Sequence, residues 1–305
     1  MLNLSAIMKL KRTRLRLAQL AAGCDRLGWM PKQRWIGMDR NAHAFLPILC
    51  ERGTDHSVLI VAFSGGAQKL DVPVHEFFAT TKTLGYDRIL LWDRYYMYYH
   101  YGVDRERRDW PSLLEYLKRE IERMRPQKLV FVGTSSGAYA AIVAGHYLGA
   151  DWVHAFGPQT SIALDRDGIR RARHPLRRLR LSLSRRVHRE ALDLVPLLRR
   201  FNGKTRYFVH YGTGHAVDRG FAERIAALPA VTTLGYPSDA HAIAVFLAKR
   251  KFLGHVLLME NQMRLAELAK NHFGEKMRIN VPADEVISMQ QPAGEDILRW
   301  TLPST

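Results

Sequence analysis

At 305 residues, with 47% hydrophobic and 25% charged side chains, the chain has the make-up of an ordered globular protein with a sizeable core, which excludes a disordered tail or a fibre. Two cysteines, Cys24 and Cys50, exclude a disulfide framework, lack the spacing of a zinc site, and point to a reducing, cytoplasmic setting. The formal charge of +17 points to an anionic contact, while no apolar run approaches the roughly 18 residues of a membrane span.

In chain order, residues 9–30 read as a basic amphipathic helix with Leu10, Leu15, Leu17, Leu20 and Ala21 on its apolar side. The string Leu20-Ala21-Ala22-Gly23-Cys24 has the outline of a lipoprotein cleavage site, but the apolar stretch before it is short and broken by Gln19. A first strand or hairpin is expected around Ala44 to Cys50. Short apolar runs then alternate with helical segments. Strands are predicted over Ser57–Phe63, Asp87–Trp92, Lys128–Val132, Trp152–Phe156, Arg206–Tyr211 and Val231–Tyr236. Helices are predicted over Glu76–Leu84, Trp110–Met124, Gly137–Leu148, Asp218–Leu228, His241–Phe252 and about Leu257–Lys270. This alternation predicts an α/β fold with a doubly wound, mostly parallel sheet.

One interval breaks the rhythm. Some fifty residues separate the strands at Trp152 and Arg206, too many for an ordinary connection, and residues 165–200 hold twelve arginines against four acids. An inserted helical cap over about 160–203 is the expectation. The domain plan is an N-terminal helix and leading strand over 1–54, a core over 55–255, and a C-terminal helix and tail over 256–305.

The strand ending at Val132 runs into Gly133-Thr134-Ser135-Ser136-Gly137 and then the small residues Ala138, Ala140 and Ala141. This is G-x-S-x-G in a strand, turn, helix setting, where flanking glycines let strand and helix approach while the serine hydroxyl is exposed. Ser135 is therefore the candidate nucleophile. A hydroxyl needs a base, and the base an orienting acid, in the chain order Ser, Asp, His. Asp218 follows the strand Arg206–Tyr211 and is the candidate acid, its plain alternative being a helix cap ahead of Arg219. His241 follows the last predicted strand and is the candidate base. His215, on the acid's loop, is its chief competitor, and Asp239 is read as shaping the turn. An oxyanion hole needs two donors. The backbone N–H of Ser136 is one; Gly66, with Gly65 next, is chosen for the other from Phe63-Ser64-Gly65-Gly66-Ala67, whose adjacent glycines permit unusual backbone angles.

With Ser64-Gly65-Gly66, the Gly133–Gly137 elbow, Asp218 and His241 in that order, residues 55–255 resemble the α/β-hydrolase superfamily. The resemblance implies the α/β-hydrolase fold with a cap at the Arg-rich segment, and a Ser/Asp/His mechanism without cofactor. More faintly the chain resembles bacterial hydrolases associated with surface-polysaccharide biosynthesis, through Phe63-Ser64-Gly65 and the aromatic run after Leu91. It departs from the common His-Gly form of the oxyanion loop.

The expected activity is cleavage of an acyl ester through an acyl-enzyme, with an acyltransferase and a non-catalytic, polyanion-binding protein of the same fold as alternatives. The arginines suit an anionic or saccharide-linked small-molecule substrate. A solvated face is the plainer reading of such a run; a peripheral anionic surface is a further partner class, with nucleic acid placed behind it. Ser64, Tyr95 and Tyr96 are candidate substrate contacts, with core packing the plainer account of the tyrosines. No metal-ligand or dinucleotide pattern is present in the sequence.

Overall fold

A computed structural model describes residues 47–67, 69–162, 189–200, 202–258 and 262–282. The expected helix over 9–30, most of the Arg-rich segment and the proline-bearing tail lie outside the described residues. Eight strands form one sheet: β1 (Ile48–Glu51), β2 (Asp55–Phe63), β3 (Tyr86–Leu91), β4 (Lys128–Thr134), β5 (Trp152–Phe156), β6 (Arg206–Gly212), β7 (Val231–Tyr236) and β8 (Arg278–Asn280). Their spatial order is β1-β3-β2-β4-β5-β6-β7-β8. The six inner strands are parallel, and β1 and β8 close the two edges antiparallel.

The apolar strand runs of the sequence have their cause here. Inner strands such as Trp152–Phe156 are buried along their whole length because helices cover both faces of the sheet. On one face lie α2 (Trp110–Met124), α3 (Ser136–Leu148), α4 (Leu194–Arg199) and α5 (Ala216–Glu223), meeting Phe63, Phe131 and Val209. On the other lie α1 (Val74–Thr80), α6 (Ile243–Lys249) and α7 (Gln262–Phe273), meeting Phe156, Phe208 and Tyr236. The central helix α3 is buried on nearly every side, as its run of small and apolar residues requires.

The order of winding reverses at β2. The chain leaves β2 toward β3 and later returns on its other side as β4, so the switch point lies between the carboxyl ends of β2 and β4, with Phe63 paired to Gly133. Crevices at such switch points are where open α/β sheets place their sites.

Helix α2 spans the expected residues, held by Asp109 accepting from the Ser112 N–H in a capping box and ended by Arg125 in the left-handed region. Other boundaries differ. Helix α1 begins two residues before the expected Glu76 and stops at Thr80, because the Thr81 hydroxyl bonds back to Phe77 O at 2.9 Å and Lys82 is left-handed. Helix α5 begins at Ala216, with His215 as its cap, and ends at Glu223. Helix α6 starts at Ile243 and ends at Lys249. Strand β8 was not expected, while helix α4 falls within the helical insertion expected over about 160–203.

The interval after β5 turns back on itself. Ser161 bridges Asp193, Ile162 N–H donates to Leu192 O at 2.8 Å, and Leu194 N–H donates to Thr160 O at 3.0 Å. Entry and exit of the insertion are thereby stitched together. The stem is fastened to α5 by Thr160 Oγ1 donating to Phe221 O and by an Arg224–Asp193 ion pair at 2.8 Å. No helix among the described residues is long and apolar enough to cross a membrane.

Candidate active site

Ser135 sits between β4 and α3 with φ 53° and ψ −116°, a combination that a side chain rarely adopts. The strain is enforced from both sides. A Cβ at Gly133 would overlap the Gly137 carbonyl, and one at Gly137 would overlap the Phe63 carbonyl, so only glycine permits the elbow to close against β2. The Ser135 N–H donates to Phe156 O at 2.8 Å, which pins the turn to β5. Ser135 is partly exposed, whereas Ser136 is buried at the first position of α3. An N–H in that position has no acceptor within its own helix and is available to an incoming oxygen.

His241 Nε2 lies 3.0 Å from Ser135 Oγ, and His241 Nδ1 lies 2.7 Å from Asp218 Oδ2. Three side chains drawn from the ends of β4, β6 and β7 thus form one hydrogen-bonded line above the sheet. Asp218 is 1% exposed, while the His241 side chain keeps 41% of its surface, so the carboxylate is sealed and the imidazole faces solvent. The hydrogen bond to Asp218 raises the His241 pKa, burial works against it, and the Asp218 and Asp71 charges add to the rise.

Asp218 lies inside the first turn of α5 instead of ahead of it. The helix cap is His215, whose Nδ1 meets the Asp218 N–H at 3.3 Å. His215 Nδ1 is also 3.1 Å from Asp218 Oδ2, the oxygen that His241 uses. The competitor histidine therefore touches the acid, while the imidazole bonded to Ser135 is that of His241. His215, Asp218 and His241 are the one group among the described residues whose donor atoms cluster as metal ligands could, within 4.8 Å. A separation of 2.7 Å between His241 and Asp218 is that of a shared proton; donors around a tetrahedral zinc stand about 3.3 Å apart.

The oxyanion loop departs from expectation in its reasons. Neither Gly65 nor Gly66 has positive φ. Gly65 is demanded by close approach, since a Cβ there would lie 2.7 Å from Thr134 O, and its N–H is already bonded to Lys69 O at 2.9 Å. That bond removes Gly65 as a free donor. Gly66 is exposed and has open space around its α-carbon. Ser64 is buried; its N–H donates to Leu91 O and its carbonyl accepts the Tyr99 hydroxyl at 3.0 Å. Its hydroxyl has no hydrogen-bond partner among the described residues. Tyr95 packs with Met97, Tyr101 and Leu192 in a small apolar cluster under the insertion's stem, and Tyr96 is half-buried with a left-handed backbone.

Two residues at the site were missed. Gly157, left-handed at the end of β5, leaves room for the base and acid: a Cβ would lie 3.1 Å from His241 O and 3.3 Å from Asp218 Oδ2. A glycine directly after a strand whose partner strands carry the triad was the available signal. Asp71 is the other. Its Oδ2 accepts the Ala244 N–H at 3.3 Å, at the start of the helix that follows His241, and nothing in its local sequence marks it.

No family model and no curated protein matches the chain. Among solved structures it is similar to the capsule O-acetyltransferase of Neisseria meningitidis serogroup A, at 16% identity and TM-score 0.48, over 68% of this chain and 90% of that one. It is also similar to MenH from S. aureus, at 15% identity and TM-score 0.46, over 73% and 99% of the two chains. A third is a thermophilic esterase of the Planctomycetes species Thermogutta terrifontis, at 17% identity and TM-score 0.45, over 72% and 89%. By its own strand order, its switch point between β2 and β4 and its tight serine turn between β4 and α3, the chain has the α/β-hydrolase fold.

Proposed function

We propose that the chain is a serine hydrolase that cleaves an acyl ester through a covalent acyl-enzyme, with Ser135 as nucleophile, His241 as general base and Asp218 as the acid that orients it. The reading rests on the line Ser135 Oγ to His241 Nε2, then His241 Nδ1 to Asp218 Oδ2, at 3.0 and 2.7 Å. Geometry of this kind lets one imidazole take the serine proton while the carboxylate steadies the resulting imidazolium. The acyl carbonyl is attacked by Ser135 Oγ, His241 returns the proton to the departing alcohol, and water deprotonated by the same histidine releases the acid.

The oxyanion is held by the N–H groups of Ser136 and Gly66. Gly66 stays ahead of Gly65 as the second donor because the latter's N–H is engaged with Lys69 O. The core of 55–255 carries the chemistry and the segment over about 160–203 is a cap, a division supported by the stitched ends at Ser161 and Asp193. The cap's arginines favour an acyl substrate with an anionic or saccharide-linked group.

The test is covalent labelling by a fluorophosphonate, followed by a panel of acyl esters with the pure protein. Labelling of the wild type and none of Ser135→Ala is expected. An unlabelled wild type that binds polyanions with a steep salt dependence would replace the enzyme by a binding protein. Product analysis with added alcohols separates hydrolysis from transfer.

A further inference from the structure

Asp71 occupies an expensive position. Its backbone is left-handed, φ 64°, at the apex of a tight turn in which Leu70 N–H donates to Val72 O at 3.2 Å and the two flanking residues form an isolated bridge. Glycine would hold that turn without strain, so an aspartate there points to its side chain as the reason. The side chain leaves its own loop. It accepts the Ala244 N–H in the first turn of α6 at 3.3 Å. Two residues earlier, Lys69 O accepts the hydroxyl of Thr134, the residue before Ser135, at 3.2 Å, and the Gly65 N–H at 2.9 Å. Carbonyl and carboxylate together join the loop of Gly65 and Gly66 to the end of β4 and to the helix that follows His241.

Resting on the hydrolase reading above, we infer that Asp71 is a positioning residue, fastening the oxyanion loop to the helix behind His241 and adding a negative charge near the imidazole. The titratable groups facing His241 are Asp218 and His215 from α5, Ser135 from the elbow, and Asp71 from this loop. Asp218 supplies the direct hydrogen bond; Asp71 acts through space. Burial pushes the Asp71 carboxyl up to about 6, against the pull of the Ala244 N–H and the His241 charge. It therefore changes its own charge in the pH range where the base must lose its proton. Two coupled groups then shape one acid limb.

The experiment is the pH dependence of the fluorophosphonate labelling rate for wild type, Asp71→Asn and Asp71→Gly. In the wild type the logarithm of the rate rises through the acid limb with a slope below one where the two titrations overlap, because ionising Asp71 holds the proton on His241. Asp71→Asn keeps an oxygen for the Ala244 N–H but removes the charge that raises the His241 pKa. Its limb has slope one and lies lower in pH by on the order of half a unit. Asp71→Gly relieves the turn, so it folds at least as well as the wild type, yet labels about tenfold more slowly at its plateau. A purely structural carboxylate would leave the limb where it was. If the wild type labels with a one-proton limb and Asp71→Asn superimposes on it, the assignment is overturned while the hydrolase reading stands. If the wild type never labels, the hydrolase reading falls and takes this role with it.

Discussion

Ser135 should be worth less to the fold than the glycine that could replace it. At φ 53° and ψ −116° the residue carries a Cβ in a region suited to glycine, and residues so held cost about 1–3 kcal/mol. Glycine removes that cost but loses about 0.5–1 kcal/mol to the greater freedom of the unfolded chain. Ser135→Ala and Ser135→Gly both delete the hydrogen bond to His241, so that term cancels between them. The difference left is the strain less the entropy, about 0–2.5 kcal/mol, placing the glycine variant on the order of 1 kcal/mol above the alanine variant. That reverses the order seen at ordinary helix or strand positions. For a chain of this size it corresponds to a melting temperature higher by about 2–4 °C. Urea titration of the two variants at neutral pH reads the difference as a shift in midpoint at constant slope. An alanine variant as stable as the glycine variant would show that the elbow stores no more strain than the about 0.5–1 kcal/mol that glycine loses in chain freedom.

Three buried histidines govern the response to acid. Burial lowers the pKa of His146 to about 4 and of His154 to about 3, and holds that of His210 well below its ordinary value. The fold keeps them neutral, so their contribution is complete above about pH 6.5 and is lost as the pH falls toward the folded values, by up to about 1.4 kcal/mol per unit for each. Asp71 and His241, both raised, offset part of that loss. Urea midpoints should drop steeply between pH 6.5 and 4.5, and a flat profile would contradict the burial of these rings. Gly137→Ala should be as inactive as Ser135→Ala and markedly less stable, because its methyl group meets backbone at Phe63 and Ser64 that has no room to withdraw. Labelling and thermal melts check this; a stable, reactive Gly137→Ala would mean the elbow closes differently.

Much of this architecture was legible from patterning alone. The inner strands were readable because strands covered on both faces become unbroken apolar runs, and Trp152–Phe156 and Val231–Tyr236 have the predicted limits. Ser135, His241 and Asp218 could be named because steric demand puts glycines on both sides of the serine and chain order restricts the rest. Helix ends were less readable, since they depend on local events such as the Thr81 hydroxyl bonding back to Phe77 O. Strand β8 is three residues long and exists through its pairing with β7, which local sequence does not encode. Asp71 escaped for a similar reason: its role is defined by Ala244, 173 positions away, and by no pattern around it.

The stitched stem between Ser161 and Asp193 has an evolutionary consequence. Because the chain leaves and re-enters the sheet's edge at neighbouring points, the intervening stretch can be lengthened, shortened or exchanged at little conformational cost to the layers beneath. On the proposed hydrolase function, selection can then revise what is recognised without disturbing how the bond is broken. The same two residues are natural splice points for grafting a foreign module onto this sheet.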